Sequence, residues 1–345
     1  MKINILASAR NNARKIMLLA PLAAFGVPLL WLYVLSPTSF DALWKGRTFE
    51  LLFVWLILLE LILGWESLQG APTIKLIKLR VAGLVVALLL PTIYVLVSNY
   101  AGLNAAIVSS SRQAGIFWYE DMPIAVEYLV FAFFFGLMAV QSQGVSGLKS
   151  FSIPIFFSVT IGAVFIIDSV FPNGQFPPFQ IFVPSTTMLA TGLLNFIGYH
   201  ASLDLGQGIL PQLTVTDPGN PVSTATFGIA WACAGIESLL IFAVITLLFL
   251  KRMPLSWRAK VGYFAFGAAV TYLVNVVRIV SLFSFVLGGG DVNLFHQTYG
   301  PLYPIAWIVM YPLFVLGTQR LWHRVTGGER QALVESAETA LAERG

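Results

Sequence analysis

The sequence is poor in charged residues, in cysteine and in histidine. Only 10% of its 345 residues are charged, against about 25% in a typical soluble domain, and 57% are hydrophobic. This balance excludes a soluble globular enzyme, a disordered chain and a nucleic-acid-binding module. A single cysteine excludes an internal disulfide and a cysteine-rich metal centre. With three histidines in addition, we expect neither a metal site nor a cofactor.

Long apolar runs dominate what remains, and a helix needs about 20 such residues to cross a bilayer. We therefore predict an all-α, polytopic integral membrane protein with about eight transmembrane helices and one re-entrant or interfacial helix. The eight predicted spans are 16–35, 49–65, 81–97, 124–140, 151–170, 225–250, 261–287 and 301–321. The re-entrant or interfacial helix is placed at 176–199, where prolines and hydroxyl side chains fit a segment buried in protein rather than in lipid.

The positions of lysine and arginine indicate an orientation. With eight spans, sixteen of the 20 basic residues fall in the termini and loops of one side, which the positive-inside rule makes cytoplasmic. The opposite side keeps Lys45, Arg47 and Arg112, and Arg278 lies within a span. We therefore expect a multi-pass protein of the plasma (cytoplasmic) membrane with both termini in the cytoplasm.

One outward segment has the pattern of a β-hairpin. The residues 213–216 and 222–226 are rich in threonine and valine, and they flank Asp217-Pro-Gly-Asn220. Proline followed by glycine is a turn signal, because proline fixes φ and glycine tolerates the backbone that a tight turn needs. We predict a short external hairpin here.

Charged residues within the spans are candidates for function, because a charge at mid-membrane costs about 2.5–3.5 kcal/mol on insertion scales. Besides Arg278 and Glu237, the candidates are Glu60, Glu127 and Asp168. The last three could pair with polar groups in the bundle or reach water at a helix end. We leave them as structural or unassigned.

Arg278 shares a helix face with Tyr272 and Asn275, since the three follow one another at a spacing of three. It lies nine residues before the outer end of its predicted span, hence about 14 Å below that end. Taken alone, this arginine could equally snorkel or pair with a carboxylate.

Cys233 and His296 point to the same zone. Cys233 is about 12 Å below the outer end of the preceding antiparallel span, with Glu237 four residues on. A lone cysteine is usually a small hydrophobic residue, and a lone loop histidine is usually solvated. However, three glycines at 288–290 allow the loop that carries His296 to fold back over the helix ends. Cys233, Arg278 and His296 then meet at one outer rim.

Together these side chains suit acyl transfer. A thiolate is the competent nucleophile, and a nearby cation lowers the pKa of its thiol. Histidine can shuttle the proton, and arginine can stabilise an oxyanion or clamp a carbonyl. The constellation indicates a thiol protease or acyl-transferase that acts on an extracytoplasmic peptide.

The stretches Ala232-Cys233-Ala-Gly235-Ile-Glu-Ser and Asn275-Val-Val-Arg278-Ile, followed by His296, resemble the exosortase/archaeosortase family of polytopic membrane transpeptidases. The resemblance covers about residues 195–315. Members of that family commonly carry a small hydroxyl residue after the cysteine, where this chain has Ala234. The first five spans carry no matching motif.

The resemblance implies a reaction and its partners. Such enzymes cut a C-terminal sorting signal, made of a short motif, a transmembrane helix and a basic tail, from exported proteins on the extracytoplasmic side. They then transfer the protein to an amine on a lipid or a cell-surface component. Cys233 would form the acyl-enzyme, Arg278 would stabilise the transition state and His296 would act as general acid and base, with Asn275, Tyr272 and Glu237 in support.

The corresponding division of the chain is a transmembrane catalytic domain over 1–322, with its active-site half at about 195–315, and a cytoplasmic tail over 323–345. Partners are then exported proteins, an acceptor amine and the bilayer, and no nucleic acid.

Rival functions stay open from sequence alone. A multi-span secondary transporter would also use intramembrane carboxylates and Arg278, near the midplane, although no repeat or pair of broken helices is visible. A serine-type intramembrane protease lacks a Gly-x-Ser-x-Gly stretch here. A non-enzymatic scaffold would leave the alignment of Cys233, Arg278 and His296 as a coincidence.

Overall fold

A computed structural model describes residues 2–41, 45–70, 78–172, 176–206, 210–231, 233–300 and 302–342. The chain forms two compact units, Met1–Pro177 and Pro178–Gly345. Most of it is helical, which confirms the predicted all-α membrane fold.

The helices of the first unit are α1 (Lys2–Leu35), α2 (Thr48–Gly70), α3 (Lys78–Tyr100), α4 (Leu103–Gln113), α5 (Met122–Gln143), α6 (Val145–Ser150), α7 (Ser152–Val170) and the start of α8 (Pro177–Gln180). The second unit holds α9 (Phe182–Phe196), α10 (Ile236–Arg252), α11 (Trp257–Leu287), α12 (Val292–Leu294) and α13 (Leu302–Ala342). Three antiparallel strands, β1 (His200–Asp204), β2 (Gln212–Asp217) and β3 (Asn220–Gly228), lie between α9 and α10.

Five helical segments within the described residues are long and apolar enough to cross a membrane. They are Ala82–Tyr100, Tyr119–Gln143, Ser152–Val170, Trp257–Leu287 and Leu302–Trp322. Each coincides with a predicted span, and the other three predicted spans fall on α1, α2 and α10. The total of eight spans stays a prediction.

The predicted span 225–250 was wrong at its start. Residues 220–228 form strand β3, and the helix begins only at Ile236. Ala225, Phe227 and Ile229 made this stretch look apolar, but alternate residues between them are polar or small, which is the period of a strand. The predicted hairpin is confirmed as β2–β3, whereas β1 had not been predicted.

Helix α9 occupies the region that we interpreted as re-entrant or interfacial. Its 15 residues extend about 22 Å, which is shorter than the hydrocarbon core of about 30 Å. Thr186 and Thr187 on this helix are fully buried, and each hydroxyl donates to a backbone carbonyl one turn earlier. The length fits a helix that does not cross the bilayer, and its placement there stays a prediction.

The first unit packs around phenylalanine rings. Phe25 of α1 meets Phe53, Phe131 and Phe135 edge to face, at 5.3–5.8 Å between ring centroids. Helices α5 and α7 approach closely at Gly162, where an added Cβ would lie 2.8–2.9 Å from α5 atoms. Small residues at such crossings let helix backbones come together in a membrane.

Ion pairs, one of them buried, account for two of the three carboxylates that the sequence left unassigned. Glu127 accepts two bonds from Arg47, at 2.6 Å from Nε and 3.2 Å from Nη2. Asp168 pairs with Lys45 at 3.1 Å, and the same ammonium lies 3.2 Å from Asp121. Glu60 is fully buried. Two of the three basic residues predicted on the outer side are therefore neutralised by carboxylates of their own unit.

The Arg47–Glu127 pair should be essential for stability, because its partners are almost fully buried. Arg47→Met leaves the Glu127 carboxylate uncompensated next to Glu50, and we expect a loss of about 3–5 kcal/mol in the free energy of unfolding. Unfolding of the purified protein in mixed detergent would measure it. Arg112→Met, at an exposed arginine of α4, serves as the matched control. An Arg47→Met protein as stable as that control would contradict the prediction.

In the second unit, α10, α11 and α13 pack around Phe242 and Tyr311. Gly267 of α11 lies against both rings, and any side chain there would overlap them. Trp307 of α13 donates to the Thr271 hydroxyl of α11 at 3.0 Å. These contacts fix α11 between its two neighbours, and α11 carries Arg278.

The sheet has one apolar and one polar face. Leu213, Val215 and Ala225 are buried, and the sheet packs against α9 and α11. On the opposite face, paired threonine hydroxyls join β2 and β3: Thr214 lies 2.9 Å from Thr226 and Thr216 lies 3.1 Å from Thr224. The apolar face thus anchors the sheet to the helices, and β3 leads from it towards Cys233.

Candidate active site

Cys233 lies in a tight turn between β3 and α10. The backbone N–H of Ile229 extends the sheet by donating to the Pro211 carbonyl at 2.9 Å, and α10 begins directly after Gly235, its N-cap residue. Gly235 has φ = 95°, which is a left-handed conformation that favours glycine. The cysteine is therefore displayed just before the first helical turn, and its side chain is half-buried.

Asn275 of α11 holds this turn in place. Its Nδ2 donates to the carbonyl of Cys233 at 2.9 Å, and the residue is almost fully buried. Gly235 makes this contact possible, because an added Cβ would lie 2.7–2.9 Å from three side-chain atoms of Asn275. Glycine is thus required at 235 for two separate reasons, the backbone conformation and the approach of the amide.

Arg278 lies one turn further along α11. Its Nη1 donates to the Asn275 Oδ1 at 3.4 Å, so one amide contacts both the cysteine turn and the guanidinium. On its other side, an added Cβ at Gly300 would lie 3.1 Å from the Arg278 Nε. The guanidinium therefore lies between Asn275 and the segment that precedes α13.

His296 lies in that segment, within a π-helical turn over Phe295–Tyr299. The chain leaves α11 through Gly289, whose φ of 87° is in the left-handed region, and Asp291 caps the next short helix by accepting from the Leu294 N–H at 2.9 Å. As predicted, this loop returns to α11, since Gly300 approaches Arg278 and His296 lines a cavity with it.

Cys233, Arg278 and His296 line one cavity of about 130 Å³. The other lining residues are mostly apolar: Phe227, Gly228, Ile229, Ile279, Leu282 and Phe295. A thiol, a guanidinium and an imidazole therefore line one mostly apolar cavity. This arrangement suits attack on a carbonyl group of a bound peptide.

The surroundings of Cys233 and His296 shift the pKa values of both side chains. Burial raises the pKa of the Cys233 thiol, and the positive charge of Arg278 acts in the opposite direction. Burial and the same guanidinium lower the pKa of His296. Both shifts favour the uncharged form of the group, so the imidazole is able to accept a proton and the thiol needs a base to become a thiolate.

The three supporting residues differ in their positions. Asn275 joins the site, as described above. Tyr272 instead contacts α9: its hydroxyl donates to the Ser185 hydroxyl at 2.8 Å and lies 3.0 Å from the Thr186 hydroxyl. Glu237 interacts electrostatically with Arg278, but within the described part of the chain the two form no ion pair shorter than 4.0 Å. Arg278 is thus not neutralised by a direct contact with Glu237.

Sequence reasoning missed the glycines that shape the site. Gly235 entered only as part of the stretch that resembles exosortases, and no role was assigned to it. Gly228 and Gly300 were not singled out. Across the residues that the structure describes, no group of three or more histidine, cysteine, aspartate or glutamate side chains could hold a metal ion.

The fold and this cavity define a polytopic, helical membrane protein with a cysteine, an arginine and a histidine at one site. Residues 114–315, more than half of the chain, match the family model described as Transmembrane exosortase (Exosortase_EpsH). The chain therefore belongs to the transmembrane exosortase family and is a membrane protein. No curated protein and no solved structure matches it.

Proposed function

We propose that this exosortase is a cysteine transpeptidase that removes a C-terminal sorting signal from exported proteins. The observation that carries the proposal is that Cys233, Arg278 and His296 line one cavity and all lie within the family match. The signal would comprise a short motif, a transmembrane helix and a basic tail. The cut would fall on the extracytoplasmic side of the plasma membrane, with both enzyme termini in the cytoplasm.

In the first half of the reaction, neutral His296 accepts the thiol proton of Cys233, and the thiolate sulfur attacks the scissile carbonyl carbon. The carbonyl electrons move to oxygen, and Arg278 stabilises that oxyanion. When the oxyanion collapses, the C–N bond breaks and His296 returns its proton to the leaving amine. The products are a thioester on Cys233 and the released tail.

In the second half, the amine of a lipid or surface component attacks the thioester carbonyl. His296 takes a proton from that amine, the C–S bond breaks, and the sulfur leaves as a thiol when the proton is returned. The exported protein ends in an amide bond to the acceptor. Water in place of the amine would give plain hydrolysis by the same steps.

A secondary transporter is the second function that the sequence left open. It needs intramembrane carboxylates that are available to couple ions. Glu127 and Asp168 are instead each held in an ion pair within the first unit. Because these two carboxylates are already paired, they are poor candidates for coupling ions. This favours peptide chemistry over transport.

The test is a processing assay. The enzyme is expressed with an exported protein from the same genome that ends in a short motif, a hydrophobic helix and an arginine-rich tail. We expect the wild-type enzyme to remove the tail, whereas Cys233→Ala leaves the substrate full length. Gel mobility and mass spectrometry of the membrane fraction report the outcome.

A matched control separates loss of chemistry from loss of fold. Ser238→Ala alters a small buried residue of α10, five positions from Cys233 and not among the cavity-lining residues, and should still support processing. Normal processing by the Cys233→Ala enzyme would end the assignment of the nucleophile.

A further inference from the structure

The two outer strands of the sheet differ at their free edges. Beside β1, the side-chain amide of Asn195 takes the place of a further strand: its Nδ2 donates to the Ala201 carbonyl at 3.1 Å and its Oδ1 accepts from the Ala201 N–H at 2.8 Å. Folded proteins commonly close an edge strand in such a way, because unpaired backbone groups pair readily with another chain. The amide therefore occupies the edge of β1 at Ala201, one of the two residues of this strand whose backbone groups point away from β2.

The free edge of β3 has no such cover. The bond from the Ile229 N–H to Pro211 sets the alternation of the ladder, so that Thr224, Thr226 and Gly228 direct their N–H and C=O groups away from β2. All three residues are exposed. Among hydrogen bonds between described residues, none joins these backbone groups to a partner outside the sheet.

This open edge leads into the cavity. At its outer part, the Ser223 hydroxyl donates to the Leu287 carbonyl, the last residue of α11, at 3.1 Å. Further along, the rings of Phe227 and Phe283 lie 5.2 Å apart, and Gly228 already lines the cavity. The strand thus runs inward along the final turns of α11, from the helix end to the level of Arg278.

Resting on the transpeptidase function proposed above, we propose that the free edge of β3 binds the substrate segment just before the scissile bond as a fourth strand. The occupant is an extended peptide, because the edge offers backbone donors and acceptors rather than a side-chain pocket. The transmembrane helix of the substrate follows the cut on the bilayer side. The segment before the cut therefore lies against the sheet and runs parallel to β3.

This mode of binding explains how one enzyme could hold the tails of different exported proteins. Main-chain hydrogen bonds supply affinity whatever the side chains are. Alternate side chains of the bound segment would stand beside Thr224 and Thr226, on the polar face of the sheet. The strand also fixes the distance between the recognised motif and the Cys233 sulfur, which sets the bond that is cut.

Proline at 226 tests the edge directly. The N–H of Thr226 points away from β2, so Thr226→Pro removes an outward donor without breaking the ladder, and proline is tolerated at such edges. Thr226→Ala is the matched variant, since it loses the hydroxyl that meets Thr214 and keeps the N–H. With the substrate from the processing assay, we expect kcat/KM about tenfold lower for the proline variant than for the alanine variant, as for one lost hydrogen bond.

A crosslinking measurement does not depend on how well the proline variant folds. In a Cys233→Ala chain, which has no other cysteine, Thr226→Cys is combined with substrates that carry one cysteine at successive positions before the cut. We expect disulfides at every second position. Ser202→Cys lies on the same sheet face at the equivalent row of β1, beside the Ala201 position that Asn195 occupies, and should give none.

Three results would separate the possibilities. Equal kcat/KM for the proline and alanine variants, or equal crosslinking from positions 226 and 202, would overturn the edge proposal while leaving the transpeptidase intact. Processing that persists in Cys233→Ala would instead overturn the proposed function itself. Slower turnover of the proline variant together with alternate crosslinks at 226 supports a substrate strand on β3.

Discussion

A covalent adduct between Cys233 and the N-terminal part of the substrate should accumulate when the second half-reaction is slowed. The first half leaves a thioester, which persists until an amine attacks it. Depleting the acceptor amine should therefore trap a species at the summed mass of enzyme and cut substrate. Mass spectrometry after proteolysis should place the modification on the peptide spanning 229–239.

The chemistry of the link distinguishes it from other covalent bonds. A thioester is cleaved by hydroxylamine near neutral pH, whereas an amide resists it. The adduct should survive SDS, disappear with hydroxylamine, and be absent from Cys233→Ala. Cys233→Ser should also fail to form it, because an alkoxide is far harder to generate than a thiolate under a neutral imidazole.

The absence of any trapped species would have a definite meaning. If the wild-type enzyme cuts its substrate, yet no adduct appears under any condition that slows the second step, an activated water is the better nucleophile. Cys233 would then be a packing residue of the turn before α10. A transporter or a scaffold would give neither cutting nor adduct.

The sequence predicted the class of fold because its signals were local. Apolar length identifies helices, and the turn Asp217-Pro-Gly-Asn220 identifies the β2–β3 hairpin, since both depend on neighbouring residues. Strand β1 was missed because its closing partner is Asn195, whose role emerges only when α9 and the sheet are in contact. The start of α10 was missed because hydropathy averaged over a window hides the alternation of β3.

The composition of the candidate site was predictable for a different reason. Cysteine and histidine are rare in this chain, so few residues could serve as a nucleophile or as a general base. The predicted depths of Cys233 and Arg278 below the outer membrane surface also agreed. What the sequence did not reveal is how the site is held. Asn275 bridges the cysteine turn and the guanidinium, and Gly235 and Gly300 leave the space for those contacts. Contacts between residues that are far apart in the chain leave no periodic pattern in the sequence.

Tyr272 was predicted to support Arg278 because of its spacing along α11. A spacing of three puts residues near one another on a helix. However, three residues fall about 60° short of a full turn, so each such step moves the side chain around the helix axis by that angle. Over the six residues from Arg278 back to Tyr272, that drift turns the tyrosine towards α9, where Ser185 and Thr186 satisfy its hydroxyl. Spacing alone therefore identified a neighbourhood rather than a set of contacts.

Replacing Arg278 should reduce turnover about as much as removing an oxyanion donor does in other enzymes. We expect Arg278→Gln to lower kcat/KM by roughly 10²–10³, because the oxyanion would lose its charged donor in an apolar cavity. Arg278→Lys should fall by a similar factor. Lysine has its three N–H donors on one nitrogen, so it cannot span the distance between Asn275 and the substrate oxygen as the planar guanidinium does with donors on separate nitrogens.

Arg258→Lys is the matched control, since it makes the same exchange at an exposed position near the start of the same helix and should leave turnover unchanged. The processing assay with purified enzyme and varied substrate gives kcat and KM separately. A defect confined to KM in Arg278→Lys would mean that the guanidinium holds the substrate in its ground state. A defect in kcat, with KM little changed, is what stabilisation of a developing oxyanion requires, because that charge exists only on the way to the thioester.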